Sequence, residues 1–307
     1  MKNNLIINFH EVNDPNWFER VVLLLKSNYT LVELSFFENP DSYKKSKGFC
    51  HITFDDGDRT FYTSAYPVLQ KYHVPATIFV SPKIILNQEN FWFQEVLDYD
   101  KNEMRNILSK ELSQPLEKLK TINFMNILKC LTIFQINKII MIYRKETNTP
   151  PKPFQNMNLT QILEVEKSGL IKVGAHTLNH PILKNESDEV CYKEISESII
   201  ELQKILGHNV RYFAYPNGIP NYDFGNREID ILNKNNIAIA VSTESKFISK
   251  RDSKLAFPRL GLSYGSMRFV KIKLMLGANW ERIKLFLLRT DSKERKLLAS
   301  LSKKLEK

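Results

Sequence analysis

Phe49-Cys50-His51-Ile52-Thr53-Phe54-Asp55-Asp56-Gly57 is an apolar, partly β-branched run that stops on two adjacent acids and a glycine. Its composition and length read as a strand, and Asp-Asp-Gly reads as the turn at its carboxyl end. A second run of this kind, Ile171-Lys172-Val173-Gly174-Ala175, ends on His176, with His180 four residues later. Two imidazoles and one carboxylate make a facial site for a divalent metal with positions left open for water. A second carboxylate beside them can take a proton from that water, so the reaction class indicated is metal-assisted hydrolysis. Adjacent strand residues point to opposite faces, but a turn forced by Gly57 lets both acids reach one cavity.

Working outward, short apolar strands alternate with helical patterns. Strands are expected at residues 5–9, 49–54, 76–80, 171–175, 210–215, 238–243 and 257–262. Helices are expected at 16–27, 60–72, 159–168, 189–206 and 226–235. Repeated βα units imply a parallel sheet. With about seven strands and both faces needing cover, the expectation is an α/β fold, a distorted (β/α) barrel. Chemistry in such barrels gathers at the carboxyl ends of the strands. His10, Asp55, Asp56, His176 and Pro216 all fall at such ends.

The barrel is expected to span residues 1–268, interrupted by a helical insertion at 87–158 that closes on Pro150-Pro151-Lys152-Pro153, a stiff linker. The insertion leaves between two strands that carry site residues. It is read either as a substrate cap or as a packing or oligomer surface. Residues 269–307 read as a basic amphipathic helical tail. Residues 268–307 hold 12 Lys/Arg and 4 Asp/Glu, so +8 of the chain's net +10 lies there and the other 267 residues carry only +2. Such a tail either lies on an anionic membrane surface or packs on the barrel with a solvated basic face. No nucleic-acid motif accompanies the charge, so nucleic acid is not an expected partner.

The three cysteines, Cys50, Cys130 and Cys191, show no ligand-like spacing and no disulfide framework. The amino-terminal apolar stretch is too short for a signal segment, and no apolar run approaches a membrane span. A cytoplasmic protein is the expectation, peripheral at the membrane if the tail binds it.

Three motifs together carry a family resemblance. They are Thr53-Phe54-Asp55-Asp56-Gly57, His176-Thr177-Leu178-Asn179-His180, and Arg211-Tyr212-Phe213-Ala214-Tyr215-Pro216-Asn217-Gly218. In this order they resemble the polysaccharide deacetylases, the NodB-homology carbohydrate esterases. The resemblance covers about 180 residues, on both sides of the insertion. It implies that Asp55 is the general base and that Asp56, His176 and His180 hold the metal. Zinc is the implied ion, with cobalt, nickel and iron accepted by the same ligands. It further implies that Arg211 orients Asp55, a role that suits a guanidinium fork. Tyr215, Pro216 and Asn217 would bind substrate at the rim, where a backbone N–H can serve the oxyanion.

The late histidine that protonates the leaving amine in many members is missing from Phe257-Pro258-Arg259-Leu260-Gly261-Leu262. The start Phe9-His10-Glu11-Val12 instead resembles the circularly permuted branch that includes the poly-N-acetylglucosamine deacetylases. That likeness makes His10 the general acid and Arg259 a pocket residue. The activity implied is N-deacetylation of an amino sugar, in a glycan or in a lipid- or nucleotide-linked precursor. Deformylation, hydrolysis of a non-sugar amide, and a catalytically silent glycan-binding barrel are the alternatives.

Overall fold

The computed structural model describes residues 2–120 and 122–277. The elements run β1 (Leu5–Phe9), α1 (Pro15–Lys26), β2 (Thr30–Leu31), α2 (Pro40–Lys45), β3 (Phe49–Phe54), α3 (Tyr66–Tyr72), β4 (Ala76–Val80) and α4 (Pro82–Asn87). Five helices follow in the insertion: α5 (Trp92–Val96), α6 (Lys101–Glu111), α7 (Leu116–Leu119), α8 (Phe124–Leu128) and α9 (Ile133–Thr147). The barrel resumes with α10 (Leu159–Lys167), β5 (Ile171–Ala175), α11 (Asp188–Leu206), β6 (Tyr212–Ala214), α12 (Asn226–Lys234), β7 (Ile239–Val241), β8 (Leu260–Gly261) and α13 (Met267–Leu276).

The main sheet has the order β7-β6-β5-β4-β3-β1-β8, with β2 alongside β3, and its strand pairs are parallel. It nearly closes on itself. Phe257 bridges Val241 of β7, and three residues later Leu260 pairs with Ile7 of β1. The segment between them, which carries Arg259, therefore spans the seam of a distorted barrel.

Side-chain alternation sorts the strands into two layers. On β1 and β3, Leu5, Ile7, Phe9, Cys50, Ile52 and Phe54 face outward and pack under α1, α3 and neighbouring helices. Ile6 belongs instead to an inner cluster with Phe79, Tyr212, Ile239 and Phe257. Above this apolar floor the inward positions turn polar: Asn8, Thr53 and Arg259 are buried and hydrogen-bonded to one another. His51 is also buried, with Nδ1 on the Val32 carbonyl at 2.7 Å and Nε2 on Thr77 Oγ1 at 2.9 Å. Burial holds its pKa down to about 4, so the ring is neutral.

Helix caps follow the sequence signals. Asp14 caps α1 through Trp17 N–H, and Ser187 caps α11, which ends on Gly207 at φ 72°. The insertion forms its own core from Trp92, Met104, Ile107, Phe124, Ile136 and Ile140 among others. Of the expected tail, α13 is described; residues 278–307 lie outside the described residues. Among the described residues, no helix is long and apolar enough to cross a membrane. The three cysteines are free.

Candidate active site

Strand β3 ends at Phe54, and Asp55 N–H continues its ladder by donating to Phe9 O at 3.0 Å. The reversal begins one residue earlier than the glycine: Asp56 itself sits at φ 70°, followed by Gly57 at φ 70°. A non-glycine residue in the left-handed region is strained unless its surroundings fix it. Here Gly57 O accepts from Met157 N at 2.8 Å, so the far stem of the insertion holds the turn. A Cβ at Gly57 would come within 3.1 Å of Val80 Cγ1. The two carboxylates thereby share one cavity.

His176 follows β5, and its N–H donates to Val80 O at 2.9 Å. Its Nδ1 lies 2.7 Å from Ala214 O, which fixes the tautomer with Nε2 free to act as a ligand. The turn to His180 passes through Thr177 at φ 62° and ends with His180 at φ 57°. Glu194 of α11 braces this turn, accepting from Leu178 N–H at 3.0 Å and Asn179 N–H at 2.9 Å. Thr177 Oγ1 accepts from His180 N–H at 3.0 Å.

Asp56 Oδ1 lies 3.5 Å from Nε2 of both His176 and His180. Their ligand atoms fall within 4.8 Å of one another, and all three residues are buried. Asp56 Oδ1 has no hydrogen-bond partner. A buried, orphaned carboxylate oxygen between two imidazole nitrogens is costly alone and suits a divalent cation. Burial opposes charge on Asp56, yet the two imidazoles outweigh it and keep its pKa well below the usual range. Burial pushes His180 down to about 3, leaving a neutral ring with a lone pair to donate. The residues present fit the metal.

Asp55 is held differently. Arg259 forks onto it, Nη1 to Oδ1 at 2.7 Å and Nη2 to Oδ2 at 2.8 Å, while Asn8 Nδ2 donates to Oδ2 at 3.0 Å. Arg259 Nε donates to Ser242 O at 2.9 Å, which aims the fork. Burial would raise the Asp55 pKa; the guanidinium reverses this, so the net shift is downward.

Arg211 does not orient Asp55, contrary to the expectation from its motif. It precedes β6 at the amino end of the barrel, pairs with Glu38, and leaves 55% of its side chain exposed. Arg259, expected only to line the pocket, occupies the orienting position. Tyr215 is likewise corrected as a rim residue. Its ring is fully buried, stacked on Phe224 at 3.6 Å, and its hydroxyl donates to Leu255 O at 2.8 Å. Its N–H is taken by Val241 O, and that of Gly218 by Pro216 O, so neither is free for an oxyanion. Pro216 is buried and shapes the turn. Asn217 does line the cavity, at φ 53°, and its buried Nδ2 has no partner.

These groups open into a cavity of about 650 Å³ that also receives His10 from the end of β1. Trp17 and Tyr264 form one wall, their rings 5.6 Å apart. Trp92, Phe93, Met125 and Lys129 of the insertion form another. Neither wall was singled out from sequence, because aromatic and apolar residues at these positions also read as core. Asn8 escapes notice for another reason: a single polar residue inside an otherwise apolar strand carries no motif.

The family model described as polysaccharide deacetylase matches residues 42–113 and 121–238, more than half the chain. The poly-beta-1,6-N-acetyl-D-glucosamine N-deacetylase of Staphylococcus aureus is 27% identical over 250 residues, covering 80% of this chain and 66% of its own. The protein of the same name from Staphylococcus epidermidis is 25% identical over 239 residues, covering 74% of this chain and 59% of its own. The chain thus spans no more than about two thirds of these relatives. Among solved structures, IcaB from Ammonifex degensii superposes with a TM-score of 0.61 at 18% identity, covering 89% of this chain and 97% of that one. The Streptococcus pyogenes deacetylase PplD in complex with acetate gives 0.56 at 19% identity, covering 85% and 92%. At such identities the structural likeness speaks to the fold.

Proposed function

Because the chain belongs to the polysaccharide deacetylase family, we propose that it is a metal-dependent hydrolase that removes an N-acetyl group from an amino-sugar glycan. The observation that carries this reading is the pairing of two unlike carboxylates in one cavity. Asp56 meets two imidazoles, and Asp55 meets a guanidinium. The first arrangement suits ligation and the second suits a held, ionised base.

Asp56, His176 and His180 would hold the ion, zinc first among cobalt, nickel and iron. A divalent ion there supplies Lewis acidity, lowering the pKa of water and polarising the acyl oxygen. Asp55 takes the proton from the attacking water, while Arg259 and Asn8 fix its orientation. Asn217 Nδ2, buried, without a partner and on a residue that lines the cavity, would donate to the acyl oxygen as charge develops on it. His10 gives a proton to the departing amine, so acetate and a free amino sugar leave.

The substrate class follows from the relatives, which are named for a β-1,6-linked N-acetylglucosamine polymer. Lys129 in the cavity wall favours a second reading, a lipid- or nucleotide-linked precursor carrying phosphate. The insertion walls the cavity as a substrate cap would, and the basic tail would add attraction to an anionic membrane surface.

Acetate release tests the reading. The metal-loaded wild type is incubated with β-1,6-linked N-acetylglucosamine oligomers and, separately, with a nucleotide-linked N-acetyl amino sugar. Release from either, abolished by Asp55→Asn, is expected. No release from any N-acetyl amino sugar would refute it.

A further inference from the structure

The two histidines of the candidate metal site are oriented by different means. His176 has the usual support, its second ring nitrogen hydrogen-bonded to a backbone carbonyl, Ala214 O at 2.7 Å. His180 has none: its Nδ1 is buried and without a partner. Its backbone is in the left-handed region as well, at φ 57°. The turn behind it is held by Thr177 Oγ1 and Glu194, but the ring direction is not set by the ordinary hydrogen bond.

The start of the insertion supplies what is missing. Trp92 Nε1 donates to the His180 carbonyl at 3.0 Å, holding the peptide in its unusual conformation. Phe91 and Phe93 stack on each other at 5.2 Å, with their planes 8° apart. Both rings then meet the His180 imidazole in edge contacts, at 5.5 and 4.9 Å between centroids. Phe91 is fully buried and Trp92 nearly so, so the contacts are fixed. The stem that bears them is tied shut: Asn90 Nδ2 donates to Lys152 O and Pro153 O, and Gln94 Nε2 to Asn156 Oδ1. Its returning limb holds Gly57 through Met157 N–H. One stem thus grips the turn after Asp56 and the turn at His180 together.

We infer that Phe91-Trp92-Phe93 is a positioning element for His180, so that the insertion is part of the metal centre's support as well as a wall over it. This inference rests on reading Asp56, His176 and His180 as the metal site. Aromatic edges do the orienting that a hydrogen bond does at His176. Loss of one ring frees the imidazole to rotate away from Asp56, and the cost falls on metal affinity.

The test is zinc affinity, measured by competition with a chromogenic chelator, with the absorption spectrum of the cobalt form as a second readout. Phe93→Leu is expected to weaken zinc binding tenfold or more and to alter the cobalt spectrum. Phe93→Tyr, which keeps the ring, is expected to bind as wild type. Ile136→Val thins the insertion core without touching His180; it should lower the melting temperature and leave zinc affinity unchanged. Trp92→Phe removes the N–H to His180 O together with part of the buried ring, and carries the same expectation as Phe93→Leu, should that variant not fold. Wild-type affinity in Phe93→Leu, or an equal loss in Ile136→Val, would overturn the inference while leaving the metal centre intact. A wild type that binds no zinc or cobalt would remove the reading beneath it.

Discussion

Arg259 and Asp55, 204 residues apart in sequence, form a buried bidentate pair across the seam of the barrel. The pair joins the segment that closes the sheet to the end of the third strand. Closure of the barrel and orientation of the candidate base are thus one structural event.

Replacing Arg259 tests this. Arg259→Met leaves the Asp55 charge buried without its partner and is expected to cost about 3–5 kcal/mol of stability, read by denaturant unfolding. Arg259→Lys keeps a charge but loses the fork, and turnover should fall roughly 10²-fold through misplacement of the base. Arg211→Ala breaks only an exposed pair with Glu38. It should keep wild-type turnover and lose at most about 1 kcal/mol.

His10 is expected to act on the leaving amine and to play no part in metal binding. For His10→Ala, kcat should drop roughly 10²-fold, with metal content unchanged. Wild-type turnover in this variant would return the acid role to another group.

His51 gives a pH dependence that is separate from catalysis. Its folded pKa, about 4, lies below the ordinary 6.5. Between these values the unfolded chain binds a proton that the folded one does not. The stability due to the neutral ring is therefore complete above pH 6.5 and is lost as pH falls toward 4. Its size is about 3 kcal/mol. His51→Gln should flatten the acid limb of stability against pH, measured by urea unfolding from pH 7 to 4.5. An unchanged slope would show that His51 does not contribute.

Gly174 lies on β5 directly under the catalytic end. A Cβ there would fall 2.6 Å from Phe79 Cδ1 and 2.8 Å from Tyr212 O. Because one neighbour is backbone, Gly174→Ala should cost about 1–3 kcal/mol, visible as a lowered melting temperature.

The strand pattern made the barrel legible. Alternation on residues 49–54 separates Cys50, Ile52 and Phe54, packed outward, from His51 and Thr53, turned inward. The acids and histidines were legible because they end strands of a parallel sheet, where the topology gathers them. Arg211 misled for the same reason in reverse. A motif places it seven residues before Gly218, but it precedes its strand and so faces the opposite mouth of the barrel. Arg259 also precedes its strand, yet its long side chain crosses the seam beside β1, a relation between chain ends that local pattern does not carry. An insertion is expected from its closing prolines and the broken strand rhythm. Its grip on His180 was not, because Phe91, Trp92 and Phe93 read equally well as core.

The proposed hydrolytic centre is held by Asp56, His176 and His180, with Asp55 beside it as base. Metal content after reconstitution and desalting, by elemental mass spectrometry, tests it most directly. About one divalent ion per chain is expected in the wild type and in Asp55→Asn, and none in His180→Ala. No bound metal in the wild type, or full retention in His180→Ala, would contradict it.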